Sequence, residues 1–405
     1  MTQQTQVKQL PKGWKESPIS EIGEIITGNT PSKKIKEYYE NGTIEFIKPT
    51  DLQNRDITTF TEKISDSAKK VARTIKQGGV LVTCIGEIGR TGFVKKEVAF
   101  NQQINGIQPN DELYGKFLFY RIQMEKKQIG DMASATTISI VNKSKFEKTK
   151  ITYPESLSEQ TIIASEIDKQ FSRLEEIVKV LKSIKNKLQV YKKSVLKKAF
   201  EGDSWEYSKI GKIFKTSSGG TPSRANKAFY TGNIPWLKSG ELMDKTNIEE
   251  SEEHISQEAL EKSSAKIFPI DTTLIAMYGA TTGKIGIIKK ECSTNQAICG
   301  IFPNQDSLSK FIFYFLLFKR EIIINQSKGG AQPNISQEII KNLDFPLLSK
   351  DIQKKIIQEI ESKFSLIDKI EDTVIQSLLK SEKLRKSILK TAFEGKLVKM
   401  EEVKQ

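Results

Sequence analysis

One nine-residue sentence is written twice in this chain. Residues 194–202 read SVLKKAFEG and residues 387–395 read SILKTAFEG, each closing a long lysine-rich stretch. Upstream of both copies the halves stay in step at a period of roughly 190 residues, far longer than any solenoid repeat. Trp14 answers Trp205, and GNTPS (28–32) answers GGTPS (219–223). YYENGTIEFIKPTDL, from Tyr38, answers FYTGNIPWLKSGEL, from Phe229. LVTCIGEIGRTGFVKKE, from Leu81, answers LIAMYGATTGKIGIIKKE, from Leu274. NQQINGIQP answers NQAICGIFP, and KFLFY answers KFIFY. Order and spacing hold throughout, so the chain is a tandem duplication. Whatever one half folds into, the other folds into as well.

Each half has two parts. The first mixes short apolar runs with Gly, Pro, Asn and Thr turn clusters. Residues 80–84 and 273–277 read as buried strands that end at a glycine turn. Helices are expected over 114–129 and 308–325, which gives an α+β domain. The second part is a long helix, over about 158–200 in the first half and 351–393 in the second. Ile167, Phe171, Leu174, Val178 and Leu181 recur at alternating steps of about 4 and 3. That seam slips at Ile184 and resumes through Leu188, Tyr191 and Val195. In the second helix Ile356, Ile360, Phe364, Ile367, Ile370, Val374 and Leu378 share a face. PESLSEQ, from Pro154, and PLLSKDIQ, from Pro346, supply a proline and a serine able to cap.

At ~1.5 Å per residue each helix is a rod of ~64 Å. Its apolar stripe needs a partner, and the other copy is the simplest one. The expected architecture is therefore two tandem α+β domains whose long helices pair as an antiparallel coiled coil with pseudo-twofold symmetry. The alternative is that each helix folds back on its own domain. The divisions are a first domain at 1–155, its helix at 156–202, a second domain at 203–347, its helix at 348–398 and a polar tail at 399–405. The repeated AFEG then marks two equivalent junctions. Ala199, Phe200, Ala392 and Phe393 are placed at domain-junction or partner contacts, and Gly202 and Gly395 at left-handed helix stops.

Composition narrows the function. Formal net charge is +14 and the pI is near 9.3, which favours a polyanionic partner, nucleic acid first. A generally lysine-rich proteome would give the same number. The first ten residues lack the apolar run of a secretory signal. The densest apolar run, FIFYFLLF at 311–318, falls short of the ~20 residues a membrane span needs. Cys84, Cys292 and Cys299 form no CxxC pair, so free thiols in a reducing cytoplasm are expected.

Catalytic signatures are missing. The single histidine, His254, sits in SEEHIS, so triads, metal sites and acid–base pairs that draw on histidine have little to use. GATTGK (279–284) is one residue short of a phosphate loop and is followed by Ile285, not Ser or Thr. GEIGR (86–90) departs further. Both read as tight turns bearing one cation. No N-P-P-[YF] or D-P-P-[YF] string marks an amino-methyltransferase. Binding is the leading role, with no cofactor and no metal bound by this chain. An enzyme with a degenerate site and a coiled-coil scaffold binding RNA or a membrane are the competing readings.

Two globular units, each followed by a long helix ending in LKKAFEG or LKTAFEG, resemble the specificity subunit of Type I restriction–modification systems. The likeness spans about residues 11–398. It rests on the paired GTPS turns, the glycine turns after the buried strands, and the terminal A-F-x-G. It implies two target-recognition domains, each reading half of a split double-stranded DNA site, with the paired helices as a ruler between them. The implied partners are two methyltransferase subunits carrying S-adenosylmethionine, joined in some systems by an ATP-dependent restriction subunit. An assembly with the methyltransferase alone is the alternative within that family.

The halves diverge at 55–76 against 245–266, and at MASATTISIVNK (from Met132) against KGGAQPNIS (from Lys328). These segments are candidates either for base contact or for tolerant surface loops. Phosphate contacts are expected from Ser32, Lys33, Lys34 and Arg90 in the first domain, and from Ser223, Arg224, Lys238 and Lys284 in the second. Arg55, Arg73, Gln332 and Asn334 have the chemistry for base edges. Two readers on one face of a duplex meet equivalent grooves ~34 Å apart, so whole turns added to the helices should lengthen the spacer.

Overall fold

The computed structural model describes residues 10–134, 138–202, 204–326 and 334–398. The chain divides into two compact units, Met1–Leu181 with Gln376–Gln405, and Lys182–Ile375. The division cuts across both long helices, Leu157–Ala199 and Lys350–Phe393. Each unit therefore holds one domain, the near part of one helix and the far part of the other.

Inside the first unit a five-stranded sheet runs in the order Gly23–Thr27, Ile104–Pro109, Val80–Thr83, Thr91–Phe93, Arg55–Asp56. Every pair is antiparallel except the last, where Arg55 lies parallel to Gly92. Val80–Thr83 is buried at every position, as a central strand covered on both faces must be. A four-stranded sheet of Glu62–Ile64, Ile44–Ile47, Val98–Phe100 and Thr74–Ile75 packs with its own small core. Trp14–Pro18 pairs with Lys150–Pro154 and closes the domain just before the long helix.

The second unit repeats the plan. Its five-stranded order is Thr216–Ser218, Ile298–Ile301, Thr273–Ala276, Ile285–Ile288, Lys245–Ile248, again with a parallel last pair. The expected single helix over 114–129 is two helices, Gly115–Met124 and Lys126–Asp131, broken at Glu125. Its counterpart Ser309–Asn325 is continuous.

The helices run antiparallel within each unit. In the second unit Gln189 donates to Glu371 (2.8 Å), while Lys192, further along, pairs with Asp368 (2.7 Å), earlier in its helix. In the first unit Arg385 meets Glu175 (3.2 Å). A clasp recurs at equivalent positions. Arg385 lies 3.9 Å from the Phe171 ring centroid, and Lys192 lies 5.9 Å from that of Phe364. Each phenylalanine meets a tyrosine of its own unit edge-on, Tyr120 at 5.4 Å and Tyr314 at 6.0 Å.

Ile167, Phe171, Leu174, Ile360, Ile367 and Val374 are buried, while Val178, Leu181, Phe364 and Leu378 are half-buried. Two seam expectations fail. Tyr191 is 50% exposed and Ile370 is 39% exposed. The next residues, Lys192 and Glu371, take the inward positions and pair at 2.9 Å. A long lysine can do this because its stem packs on apolar surface while its ammonium finds a carboxylate.

The AFEG ends seat in the domain cores. Val195, Leu196 and Phe200 belong to the core of the second unit, and Ile388, Leu389 and Ala392 to that of the first. The starts of the helices pack there too, with Ile163, Ala164 and Ile167 in the first core and Ile357 and Ile360 in the second. The two sequence alternatives are thus both partly right: each domain is covered by the start of its own helix and by the end of the other. Gly395 is a left-handed stop (φ 70°), with Lys396 N–H on Thr391 O at 3.0 Å. Gly202 is not left-handed. It is glycine because a Cβ there would strike the Trp205 indole.

A buried glutamine opens each long helix. Gln160 accepts from the Tyr114 N–H (2.7 Å) and donates to Glu112 O and Pro154 O (both 2.9 Å). Gln353 does the same for Leu308 N–H (2.9 Å), Asp306 O and Leu348 O (both 2.8 Å). Each stitches the long helix to the loop before the short one.

Candidate nucleic-acid interface

The GTPS turns are shaped by contacts among the repeated motifs. Gly28 N–H donates to Ile104 O (3.1 Å), and a Cβ on Gly28 would overlap the carbonyls of Phe100 and Asn101. Thr30 donates to Gln102 (2.5 Å), and Tyr39 OH to Pro31 O (2.7 Å). In the second unit Gly219 is pressed against Thr294 and Asn295, Thr221 donates to Gln296, and Tyr230 OH donates to Pro222 O (2.7 Å). The tyrosine, the NQ pair and the glycine thus build one turn, and the residues after the proline are left in solvent.

The first-unit turn carries Ser32, Lys33 and Lys34, all exposed; neither lysine has an ion pair among the described residues. Arg73 is brought to its base, with Arg73 N–H on Asn29 Oδ1 (2.7 Å) and Nη1 on Thr27 O (2.8 Å). Arg55 and Arg90 form a second group. Asn54 N–H donates to Thr91 O (2.8 Å), which sets the strand bearing Arg55 beside the hairpin that carries Arg90. Arg55 is exposed, and Arg90 pairs with Glu87.

In the second unit the corresponding cations are already engaged. Arg224 lies over the rings of Tyr230 (4.2 Å) and Trp236 (5.1 Å) and pairs with Glu253. Lys238 pairs with Glu252 (2.8 Å) and Glu253 (3.1 Å). The Arg224 and Lys238 hydrogen bonds outweigh the small burial cost and hold the Glu253 carboxyl below its usual range. Ser223 stays exposed beside them. Lys284 pairs with Asp244 (2.9 Å), which also takes both Arg320 Nη atoms and the Ile285 N–H (3.1 Å). Burial alone would raise the Asp244 carboxyl, but the Arg320 charge and the hydrogen bonds win, and it lies below its usual range. A cation committed to a carboxylate has less to offer a phosphate, so Arg224, Lys238 and Lys284 carry less free charge than Lys33 and Lys34 of the first turn.

Both glycine turns are tight hairpins. Gly86 and Gly89 have φ of 75° and 84°, and Gly279 and Gly283 of 90° and 81°. Gly89 N–H returns to Thr83 O (2.9 Å) and Gly283 N–H to Ala276 O (2.8 Å). Gln332 lies outside the described residues. Asn334 is exposed, next to Ile335, whose N–H donates to Met277 O (2.7 Å) and so lies near the second glycine turn. His254 sits opposite Pro235 in a strand pair, and no His/Cys/Asp/Glu group among the described residues could hold a metal ion. No described helix is long and apolar enough to cross a membrane.

Sequence reasoning missed several polar residues that couple domain to helix. Lys116 pairs with Asp56 and Asp168, and Tyr120 donates to Asp168. Lys310 pairs with Glu361 (2.6 Å), and Tyr314 donates to Glu361 (3.4 Å). Their signal was available: the lysine and tyrosine of KFLFY and KFIFY recur together, as do Asp168 and Glu361 in the helices. Arg385 with Glu175 recurs as Lys192 with Asp368, and Lys238 with Glu253 as Lys48 with Glu62. Arg320 gave no such sign, because Lys126 stands at its place in the first half and Asn54 at that of its partner Asp244.

The fold defines a class of chain: one α+β domain built twice on one plan, each copy followed by a long helix and carrying cations at an exposed turn. The family model described as "Type I restriction modification DNA specificity domain" matches residues 11–189 and again residues 202–380. The chain belongs to that family and carries its domain twice. It is 25% identical to the Type I restriction enzyme MjaIX specificity subunit of Methanocaldococcus jannaschii, over 93% of this chain and 95% of that one. It is 23% identical to the StySPI specificity subunit of Salmonella potsdam, over 96% and 90%. Among solved structures, a chain from work on complex assembly and conformational transition of the type I R-M system superposes with a TM-score of 0.80. It is 16% identical, and 96% of this chain and 100% of that one are covered. The HsdS subunit from Thermoanaerobacter tengcongensis gives 0.57 at 15% identity, with 97% and 99% covered. These two likenesses concern the fold.

Proposed function

We propose that this chain is the non-catalytic specificity subunit of a Type I restriction–modification assembly. Each domain reads one half of a bipartite double-stranded DNA site, and the helices keep the halves in register. The observation that carries this reading is the doubled family domain, matched over residues 11–189 and 202–380, with the halves diverging in the segments beside the exposed turns. In the first domain Ser32, Lys33 and Lys34 meet phosphate, with Arg73, expected at a base edge, held at the base of their turn. Arg90, expected on phosphate, and Arg55, expected at a base edge, form the second group. In the second domain Ser223, Arg224, Lys238, Lys284 and Asn334 contact DNA with their charges partly shared with acids.

The partners are two cytoplasmic methyltransferase subunits that hold S-adenosylmethionine and methylate adenine. The helices offer each a similar surface. Ile177 in the first unit, and Tyr191 and Ile370 in the second, stand three residues after the seam residues Leu174, Leu188 and Ile367, and Leu384 in the first stands three after the buried Ser381; that is about 60° round the helix. They are 53%, 50%, 39% and 50% exposed. Paired apolar residues at equivalent places in both units suit two copies of one partner.

Co-expression with the methyltransferase, followed by mapping of methylated adenines, tests the reading. A split motif is expected. An uninterrupted motif, or methylation whose sequence does not depend on this chain, refutes it. Ile177→Glu with Leu384→Glu should lower methyltransferase occupancy and leave DNA binding by the free chain unchanged.

A further inference from the structure

The turn before the fifth sheet strand is built differently in the two units. In the first, it faces the helices. Arg385 Nη2 approaches Asn54 O (3.4 Å), and Lys116 bridges Asp56 to Asp168. In the second, Thr246 stands in place of Asp56 and Lys192 in place of Arg385. Lys192 turns to Asp368 and Glu371, Lys310 to Glu361, and a groove of about 890 Å³ opens beside Asp244, Thr246, Arg320 and Phe364.

The second turn is anchored to its own domain instead. Asp244 is gripped by Lys284, Arg320 and the Ile285 N–H. Lys245 N–H donates to Leu242 O (3.0 Å), and both central residues are left-handed, Met243 at φ 44° and Asp244 at φ 59°. Left-handed φ at both centres marks a type I′ turn, which ordinarily takes Asn and Gly. Of the counterpart residues only Asn54 is left-handed (φ 55°). Met243 has a Cβ and a long apolar side chain, so its conformation is unfavourable. Core packing does not offset it: Met243 is 54% exposed and belongs to none of the hydrophobic cores described. Strain held rigidly by its surroundings, at a side chain more than half of which stands in solvent, points to a use outside the fold.

We propose that Met243 is a specificity-determining residue of the second recognition domain, making an apolar contact with a thymine methyl group in its half-site. The proposal rests on the DNA-recognition reading above. Two features favour DNA. The turn leads straight into Lys245, which is exposed and has no ion pair among the described residues, while Lys284 and Arg320 hold Asp244. It also opens directly into residues 245–266, where the halves diverge. A flexible thioether on a rigid turn can reach into the major groove, where the thymine methyl is the one apolar mark of a base pair.

Met243→Gly and Met243→Ala in the full chain, co-expressed with the methyltransferase, test it by mapping methylated adenines. Glycine adopts left-handed φ freely, so Met243→Gly should unfold no earlier than wild type. It should relax discrimination at one base pair of one half-site by roughly 5- to 150-fold, the range for one lost base contact. The other half-site should be unchanged, as should both half-sites in Gln53→Ala. An unaltered motif, methylated within twofold of the wild-type rate, overturns the proposal. So does a loss of assembled complex with an unaltered motif, which would make Met243 a protein-docking residue of the adjoining groove. A wild-type complex that yields no split motif overturns the underlying reading, and this proposal with it.

Discussion

Phe200→Ala is the sharpest test of how the duplicated chain is closed. Phe200 ends the first long helix, yet its ring is 4% exposed in the core of the second unit. It meets Phe311 at 5.2 Å, Phe315 at 5.8 Å and Phe318 at 5.6 Å, the last nearly parallel at 9°. Truncating a buried phenylalanine costs about 3–5 kcal/mol, and aromatic pairs add about 0.5–1.5 kcal/mol beyond burial. About 4 kcal/mol is therefore expected, which lowers the midpoint of a unit this size by roughly 8–16 °C. Phe393 is half-buried, with one ring partner, Phe117 at 5.5 Å, and Arg121 at 5.3 Å. Phe393→Ala should cost about 2 kcal/mol by the same reasoning, in the first unit. The assay is denaturant unfolding of the full chain, with limited proteolysis to report which unit opens. Phe200→Ala within 1 kcal/mol of wild type, or cleavage beginning in the first unit, refutes the view that the helix end belongs to the second core. Phe200→Leu should recover most of the loss, because it restores volume without the rings.

Further outcomes follow from the buried polar and titratable groups. Gln160→Ala strands one N–H and two carbonyls, and Gln353→Ala does the same; each should cost about 2–4 kcal/mol in denaturant unfolding, more than a lone hydrogen bond. Burial pushes the thiols of Cys84, Cys292 and Cys299 up to about 12. None should react with a thiol reagent at neutral pH faster than the chain unfolds; rapid labelling would contradict their burial. Burial first, and then the carboxylates Asp168 and Glu361, raise Tyr120 and Tyr314 above the usual phenol range. In the folded state these phenols keep protons that the unfolded chain releases near pH 10, so stability is full below that pH and falls as pH rises beyond it. Tyr120→Phe with Tyr314→Phe should flatten that alkaline decline, read from unfolding midpoints between pH 8 and pH 11.

Much of this was legible in the residues. The repeat declared two domains and two helices, and apolar spacing gave the seam through Ile167, Phe171 and Leu174. The glycine turns after 80–84 and 273–277 stand where the turn residues put them. Seam positions failed at Tyr191 and Ile370, because periodicity counts apolar residues and cannot see that Lys192 and Glu371 neutralise each other when buried together. Gly202 was misjudged for a similar reason: a glycine after a helix suggests a left-handed stop, while only the fold reveals the Trp205 ring lying on it.

The sequence alone settled the duplication, the alternation of domain and rod, and the scarcity of histidine, since each is a property of order, period or composition. Tertiary structure decided which cations are free and which are spent, which domain each helix end seals, and where the backbone is strained. Those depend on residues far apart in the chain, such as Asp244 with Arg320 and Phe200 with Phe315. Charge and strain are set by neighbours in space, and a linear pattern does not carry them.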